Sequence, residues 1–392
     1  MNRNVWTYKK LGELTQTING LWTGKKPPFR NIAVIRNTNF TKDCVLNLSN
    51  VAFIDVEERQ FATRKLQKGD IIIEKSGGSD KQPVGRPVIF DIDEGDYSFS
   101  NFTSTLRILN QEEILPSFLH KVLLSKYRMG VTLKMQSKTT GLHNLDFKAY
   151  NNIIIPLPTK EEQTQIISEL DSLNDSITML QQQVTDLETL AQSLFYDMFG
   201  DPIENPKHWS VMEMCKVAPC KSYTGVIEPN DGKFWLLNLD MVESQSGKII
   251  GKYYCDLSEV GNSTTTFCED NVLYSKLRPY LNKVVVPNGK GYCTSELLPL
   301  LPQKDVLNRL FLAYLLRSTS FVNYISNRVA GAKMPRVSMN DFRCFNVIIP
   351  PLSLQQTFAD KIAIIDESKS SLNAQITEMQ NLLASRMQYW FD

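Results

Sequence analysis

The side chains best placed to do chemistry are cations and amides gathered in four polar, turn-rich stretches. These read EKSGGSDKQPVGR (74–86), KMQSKTTGLHN (134–144), SKLRPYLNK (275–283) and NRVAGAKMPR (327–336). Lysine and arginine neutralise phosphates, while Asn, Gln, Ser and Arg side chains can hydrogen-bond to base edges in a major groove. The candidate nucleic-acid contacts are Lys75, Ser76, Lys81, Gln82, Arg86, Gln136, Lys138 and Thr140 in the first half of the chain. In the second half they are Lys276, Arg278, Asn282, Lys283, Lys333 and Arg336. A run of charge is often only a solvated face. These loops rise above that reading because they recur at matching places in the two halves. Trp22 and Tyr223, each just before a Thr-Gly pair, could pack on a sugar–phosphate wall, but core packing is the expectation for both.

Catalytic signatures are absent. The sequence contains no phosphate-binding G-x-x-x-x-G-K-[ST], no G-x-G-x-x-G turn, no H-E-x-x-H and no G-x-S-x-G elbow. KKPPF (25–29) resembles the N-P-P-F motif of amino-methyltransferases. Lys26, however, stands where a side-chain oxygen must accept from the target amino group, so the motif is rejected. Asp70, Glu74 and Lys75 could suggest a nuclease metal site, but the second copy has Asn271, Ser275 and Lys276 there. Seven scattered cysteines without a C-x-x-C pair, and three histidines, give neither a zinc site nor a disulfide framework. Most of the cysteines read as small core fillers. The chain is expected to be non-catalytic and to hold no cofactor or metal. No long apolar run occurs and the first residues do not lead into a signal-peptide core, so a cytoplasmic location is expected.

A net charge of +1 conceals segregation. Residues 120–148 carry six Lys/Arg against Asp146 alone, and residues 309–343 carry six against Asp341 alone. Residues 160–200 hold eight acids against Lys160.

The alternation reflects an internal duplication with a period of about two hundred residues. Trp6-Thr7 recurs as Trp209-Ser210, NGLWTG (19–24) as CKSYTG (220–225), and KGDIIIEK (68–75) as EDNVLYSK (269–276). PSFLHKVLLSKY (116–127) answers to RLFLAYLLRSTS (309–320), and LDFKAYNNIIIPLPTKEEQ (145–163) to NDFRCFNVIIPPLSLQQ (340–356). Short β-branched runs between Gly, Pro and Asn punctuation predict strands, with one amphipathic helix per copy at about 116–128 and 308–320. Each copy is therefore expected to be an α+β domain.

A long helical segment follows each copy. Its apolar residues include Leu170, Leu173, Ile177, Leu180, Val184, Leu187 and Leu194 in the first segment. In the second they include Ile365, Leu372, Ile376, Met379 and Leu383, with Lys369 the one polar position. The mean spacing of 3.5 residues is that of a coiled-coil seam. At about forty residues, each helix would be roughly 60 Å long. The first helix carries the chain from one domain to the other, so an intramolecular partner helix must run back. The expected architecture is two tandem α+β domains joined by an antiparallel coiled coil with an approximate two-fold axis. Its boundaries are 1–158, 159–199, 200–352 and 353–392. In FYDMFGDPIENPKHWS (195–210), Gly200-Asp201-Pro202 stops the first helix and Trp209 opens the second copy.

These features together resemble the specificity subunits of type I restriction-modification systems. The resemblance rests on IIIPLPTKEEQTQIISELD (153–171), MFGDPIENPKHW (198–209) and the more degenerate VIIPPLSLQQTFADKI (347–362), and it spans the chain. It implies two target recognition domains, each reading one half of a bipartite, asymmetric double-stranded DNA site, with the helices as spacer and docking surface. Half-sites on one face of the duplex would lie about one turn apart. It further implies two adenine-N6 methyltransferase subunits bringing S-adenosylmethionine, and restriction subunits using ATP and Mg. The second copy has Gln355-Gln356 where the first has Glu162-Gln163, which departs from the pattern at the second helix start. The competing expectation is a coiled-coil scaffold or tether for protein partners with no DNA affinity.

Overall fold

The computed structural model describes residues 5–22, 24, 26–79, 82–139, 141–331 and 334–392. The chain forms two compact units, one of residues 1–179 with 375–392, the other of residues 180–374. Each unit therefore takes one globular α+β part together with portions of both long helices. The helices span Lys160–Phe199 and Leu352–Phe391.

In the first unit the strands Thr15–Asn19, Thr103–Ile108, Ile71–Glu74 and Pro87–Ile89 form an antiparallel sheet in that order. Ile71, Ile72 and Ile73 are all fully buried, so this strand is covered on both faces and reads as a continuous apolar run. The helix Pro116–Arg128 opens on a proline, where no backbone donor is lost, and buries Phe118, Leu119, Val122 and Leu123. A second sheet orders Ala52–Glu57, Phe29–Ile35 and Tyr97–Phe99.

The second unit repeats the plan. Val284–Val285, Val272–Ser275 and Leu297–Leu300 form one sheet. Tyr253–Cys255, Phe234–Leu237, Gly291–Thr294 and Thr264–Phe267 form another. The single helix expected at 308–320 is instead two, Arg309–Arg317 and Thr319–Ser326. Ser318 breaks it: its backbone is extended and its hydroxyl accepts from Phe321 N at 3.3 Å, capping a new helix.

Both units close the sheet under the helix start in the same way. Thr7–Lys10 pairs antiparallel with Ile154–Leu157, and Ser210–Glu213 with Asn346–Ile349. Just beyond, Gln163 is fully buried; its oxygen accepts from Leu115 N (2.8 Å), and its nitrogen donates to Glu113 O (2.9 Å) and Pro158 O (3.0 Å). Gln355 is equally buried and makes the same three bonds, to Asn308 N (2.8 Å), Val306 O (3.0 Å) and Pro350 O (2.8 Å). The counterpart of Gln163 is therefore Gln355 and not Gln356, which corrects the alignment by one residue. Gln356 lies on the exposed side. The departure seen in the sequence is one of surface residues, while the buried amide is retained.

A tryptophan meets a helix end in each unit. At Gly200 the backbone turns left-handed (φ 77°), and the free carbonyls of the helix are taken up by Trp209 Nε1 on Phe199 O (2.9 Å) and Lys207 Nζ on Met198 O (3.1 Å). In the first unit Trp6 stacks on Trp390 with ring centroids 6.1 Å apart, and Lys126 Nζ donates to Phe391 O at 2.5 Å. Phe391 meets Phe118 edge-on as Phe199 meets Phe311.

Burial along the long helices follows the apolar spacing. Leu170, Ile177, Ile365, Ile376 and Leu383 are buried, and Leu173, Leu180, Val184, Leu187, Leu194, Leu372 and Met379 half-buried. Lys369 is also half-buried. It pairs with Asp366 at 2.9 Å and lines a cavity of about 850 Å³ with Val184, Glu188, Tyr314 and Arg317. A polar residue interrupts the apolar row where the packing opens onto a roomy, polar space.

The two buried glutamines generate a direct prediction. Gln163→Leu or Gln355→Leu leaves one backbone N–H and two carbonyls buried without that partner. Each change should lower unfolding stability by about 2–4 kcal/mol. Urea titration of the full chain measures this, and a loss below about 0.5 kcal/mol would show that these bonds do not hold the helix starts.

Candidate nucleic-acid interface

The buried strand Ile71–Glu74 delivers the chain to Lys75, and the next three residues, Ser76–Gly78, form a strand of their own. Ser76–Gly78 pairs with Leu142–Leu145, which pairs in turn with Gln136–Thr139, giving a small sheet whose outer hairpin comes from a distant part of the chain. Gly77 adopts φ 103°, a conformation that favours glycine. Asn37 Nδ2 reaches Ser76 O at 3.4 Å, and Ser76 Oγ lies 2.6 Å from Asn144 Oδ1. Lys75 is fixed by its backbone: its N–H donates to Phe102 O (2.8 Å) and its carbonyl accepts from Leu145 N (2.8 Å). Its ammonium reaches Asn19 Oδ1 at 3.1 Å on the exposed side.

The second unit builds the same node. Lys276 N donates to Glu296 O (3.0 Å) and Lys276 O accepts from Val337 N (2.9 Å). Val337 belongs to the hairpin of Val329–Ala330 and Arg336–Val337. Arg278, exposed and left-handed at φ 50°, donates its N–H to Pro335 O at 2.8 Å. In both units, then, a lysine leaving a buried strand is stitched by its carbonyl to a protruding polar hairpin.

Of the residues expected from sequence, the structure gathers Lys75, Ser76 and Gln136 around the first hairpin. Gln136 Oε1 accepts from Val84 N at 3.4 Å. Gln82 lies half-buried in a turn, exchanging backbone bonds with Ser79 (2.8 and 3.1 Å). Lys276, Arg278 and Arg336 gather around the second hairpin. The guanidinium of Arg336 is held by Glu296, with Nη2 to Oε1 at 2.9 Å, and this partner raises its pKa above the usual arginine value. Lys81, Thr140 and Lys333 lie outside the described residues, as does the side chain of Lys138, whose backbone pairs with His143.

Three of the expected contacts face inward. Arg86 is only 5% exposed; its Nε meets Glu74 Oε2 at 2.6 Å and its Nη1 donates to Phe40 O (3.2 Å) and Thr41 O (3.3 Å). Lys283 occupies the equivalent place, since Ser275 N bonds to Lys283 O as Glu74 N bonds to Arg86 O, each at 3.0 Å. Lys283 Nζ donates to Leu239 O at 2.7 Å, a carbonyl of the matching 3₁₀ turn. Asn282 is 8% exposed and donates to Arg317 O at 3.0 Å. Their polarity serves backbone carbonyls that would otherwise be buried unsatisfied. Trp22 corrects the opposite expectation: it is 63% exposed rather than packed in the core, whereas Tyr223 is half-buried.

Residues that sequence reasoning missed are Asn37, Phe102 and Asn144. Asn144 stood inside a quoted polar loop; Asn37 and Phe102 come from segments whose approach depends on sheet pairing. Asp70 is gripped by Arg107 at 2.9 and 2.7 Å, and Glu74 by Arg86, so each carboxylate of the rejected nuclease reading has a cationic partner. Among the described residues no group of three His, Cys, Asp or Glu side chains is placed to hold a metal ion. Cys44, Cys255, Cys268 and Cys293 are buried, and burial pushes the Cys293 thiol up to about 12; Cys215, Cys220 and Cys344 are exposed. No helix among the described residues is long and apolar enough to cross a membrane.

Arg86 and Glu74 supply a test of the inward assignment. Arg86→Met strands a carboxylate in the core and should cost about 3–5 kcal/mol, while Arg86→Met with Glu74→Leu should recover much of it. Thermal and urea unfolding of the two variants decide this. An Arg86→Met chain as stable as the parent would return Arg86 to the exposed candidates.

Comparison with known proteins agrees with this geometry. The family profile described as type I restriction modification DNA specificity domain matches residues 4–189 and 256–379. A putative type I restriction enzyme MjaX specificity subunit of Methanocaldococcus jannaschii is 19% identical over 382 residues, covering 92% of this chain and 87% of its own. The EcoDI specificity subunit of Escherichia coli is 26% identical over 185 residues, 46% of this chain and 40% of its own. Among solved structures, the type I restriction-modification S subunit from M. genitalium superposes with a TM-score of 0.56 at 13% identity, covering 100% of this chain and 98% of that one. A chain from work on assembly and conformational transition of the type I R-M system gives 0.59 at 18% identity, covering 98% and 97%. At these identities the superpositions establish a shared fold. The profile match extends over most of both copies, and on that ground the chain belongs to the type I restriction modification DNA specificity domain family.

Proposed function

We propose that this chain chooses the DNA sequence on which a type I restriction-modification complex acts. Each unit reads one half of a bipartite, asymmetric site in double-stranded DNA through its lysine-anchored hairpin. The observation that carries the reading is the repetition of that node, Lys75 with Leu145 and Lys276 with Val337, in two units whose surrounding side chains differ. The same backbone frame with different side chains is what two unlike half-sites require. Family membership favours this reading over a scaffold without DNA affinity.

The long helices act as spacer and docking surface. An antiparallel pair is supported by contacts inside each unit. In the second unit Phe195 and Phe199, at the end of the first helix, meet Phe358 at the start of the second, at 5.8 and 5.3 Å. In the first unit Glu169, early in the first helix, takes Arg386 Nη2 (3.0 Å) and Trp390 Nε1 (3.2 Å) from the end of the second, and the Arg386 bond holds its carboxyl below the usual glutamate range. Burial at the 3.5-residue positions agrees with a coiled-coil seam.

In this reading the chain itself performs no catalysis and works in the cytoplasm. Two adenine-N6 methyltransferase subunits bring S-adenosylmethionine, and restriction subunits bring ATP hydrolysis with Mg.

Methylome sequencing of cells with and without the gene tests the reading. Deletion should abolish one split adenine motif, and exchanging residues 1–158 for another recognition domain should change only one half of it. Unchanged methylation, with the partner genes expressed, or a swap that alters both halves, would sink the proposal. Lys75→Ala should weaken binding to every duplex and reduce the slope of log affinity against log salt by about one. An unaltered slope would remove Lys75 from the phosphate contacts.

A further inference from the structure

Trp22 is the most exposed tryptophan-sized surface of the first unit that no packing explains. At 63% exposure it stands at the end of a segment held firmly from below. Leu21 N donates to Phe99 O at 2.9 Å, and Leu21 bridges Ser100 in parallel. One residue earlier, a Cβ on Gly20 would lie 1.9 Å from Ser100 O, so only glycine lets the two segments run this close. Trp22 N donates to Gln60 Oε1 at 3.2 Å. The ring is thus presented by an ordered backbone.

Its surroundings hold a carboxylate, Glu57, which takes Gln60 Nε2 at 3.2 Å and Lys26 N at 2.7 Å, together with several cations and amides. Asn19, three residues earlier, takes Lys75 Nζ on its side chain (3.1 Å) and Arg64 Nε on its carbonyl (3.1 Å). The segment beside it leads from Ser100 to Phe102, whose ring is 41% exposed and whose carbonyl holds both Lys75 N (2.8 Å) and Ser76 N (3.0 Å). Phe102 thus stands beside the lysine of the node, and Trp22 lies three residues along the chain from the Asn19 that holds its ammonium. A protein-docking patch buries its aromatics at an apolar centre with charge depleted. Exposed aromatics near phosphate-neutralising cations and amides suit a partner whose methyl and sugar faces lie along a charged backbone.

The second unit is arranged differently: the exposed aromatic of its node is Tyr280, 50% exposed and in the same loop as Arg278. Tyr223, at the place of Trp22, is half-buried and covered by Lys290 Nζ, 5.2 Å from its ring centroid. Its backbone is tied to Thr266 through two bonds, of 3.2 and 2.6 Å. The place of Phe102 is taken by Glu296, whose carbonyl serves Lys276 N and whose carboxylate pairs with Arg336.

We propose that Trp22 packs its ring on a thymine methyl or a deoxyribose of duplex DNA, in the half-site read by the first unit. This inference rests on the DNA-reading function above and adds to it an indole contact where the second node carries a tyrosine, Tyr280.

The test uses the full chain co-expressed with the methyltransferase subunit of the proposed complex, and a duplex bearing the split motif with 5-iododeoxyuridine in place of thymidine. Irradiation should crosslink the peptide containing Trp22, at one half-site only. Trp22→Ala should weaken binding about tenfold, without changing the salt slope, because an aromatic contact releases no counterion. Trp22→Tyr should keep most of the affinity. If the complex binds the duplex, no Trp22 crosslink forms and Trp22→Ala binds as tightly as the parent, the inference is overturned while DNA reading stands. A complex that binds no duplex at all overturns both.

Discussion

A buried glutamine amide ties each long helix to the globular part it leaves, and the rest of the architecture depends on that tie. Gln163 and Gln355 each bridge the proline two residues before the helix start and the loop that leads into the domain helix. A neutral amide suits this position. It offers both a donor and an acceptor to buried backbone without the desolvation penalty of a charge. With three bonds satisfied, the direction in which a 40-residue helix departs is set at its first turn. Gln356 is exposed, whereas Glu162 is half-buried and exchanges cap bonds with Thr159, of 3.1 and 3.3 Å.

A second constraint sorts the cations. Arg86 and Lys283 follow the buried strand of their copy, and both turn inward to serve backbone carbonyls, Phe40 O and Thr41 O for Arg86 and Leu239 O for Lys283. Lys75 and Lys276 come directly off that strand and have their backbone stitched to a hairpin instead. The loop that appears in sequence as one basic run therefore holds two kinds of cation, one that supports the frame and one that the frame presents. In the first unit the support is an ion pair with Glu74. In the second, Ser275 replaces the acid and a lysine replaces the arginine, and the ammonium of Lys283 meets a backbone carbonyl in place of a carboxylate.

Much of this was legible from the chain alone. The duplication shows because matched stretches recur in one order. The long helices show because a 3.5-residue apolar spacing persists over their whole length, which chance does not sustain. The break at Ser318 and the one-residue offset of Gln355 did not show. Both depend on which backbone groups are left needing a partner: the offset shows only when the loop from 303 to 308 is seen beside the helix start, and at the break Asn282 Nδ2 takes Arg317 O.

By itself, the sequence determined the two-copy plan, the α+β class, the two long helices and the polar loops that hold the candidate contacts, because periodicity and local turn chemistry are short-range properties. Only the tertiary structure decided which polar residues face out. Ser76 meets Asn144, and Arg86 meets Phe40, through pairings made by residues far apart in the chain. Trp22 is exposed because Gly20 passes against Ser100, a contact no local pattern announces. Burial is a property of what else arrives at a place, and spacing along the chain carries no record of it.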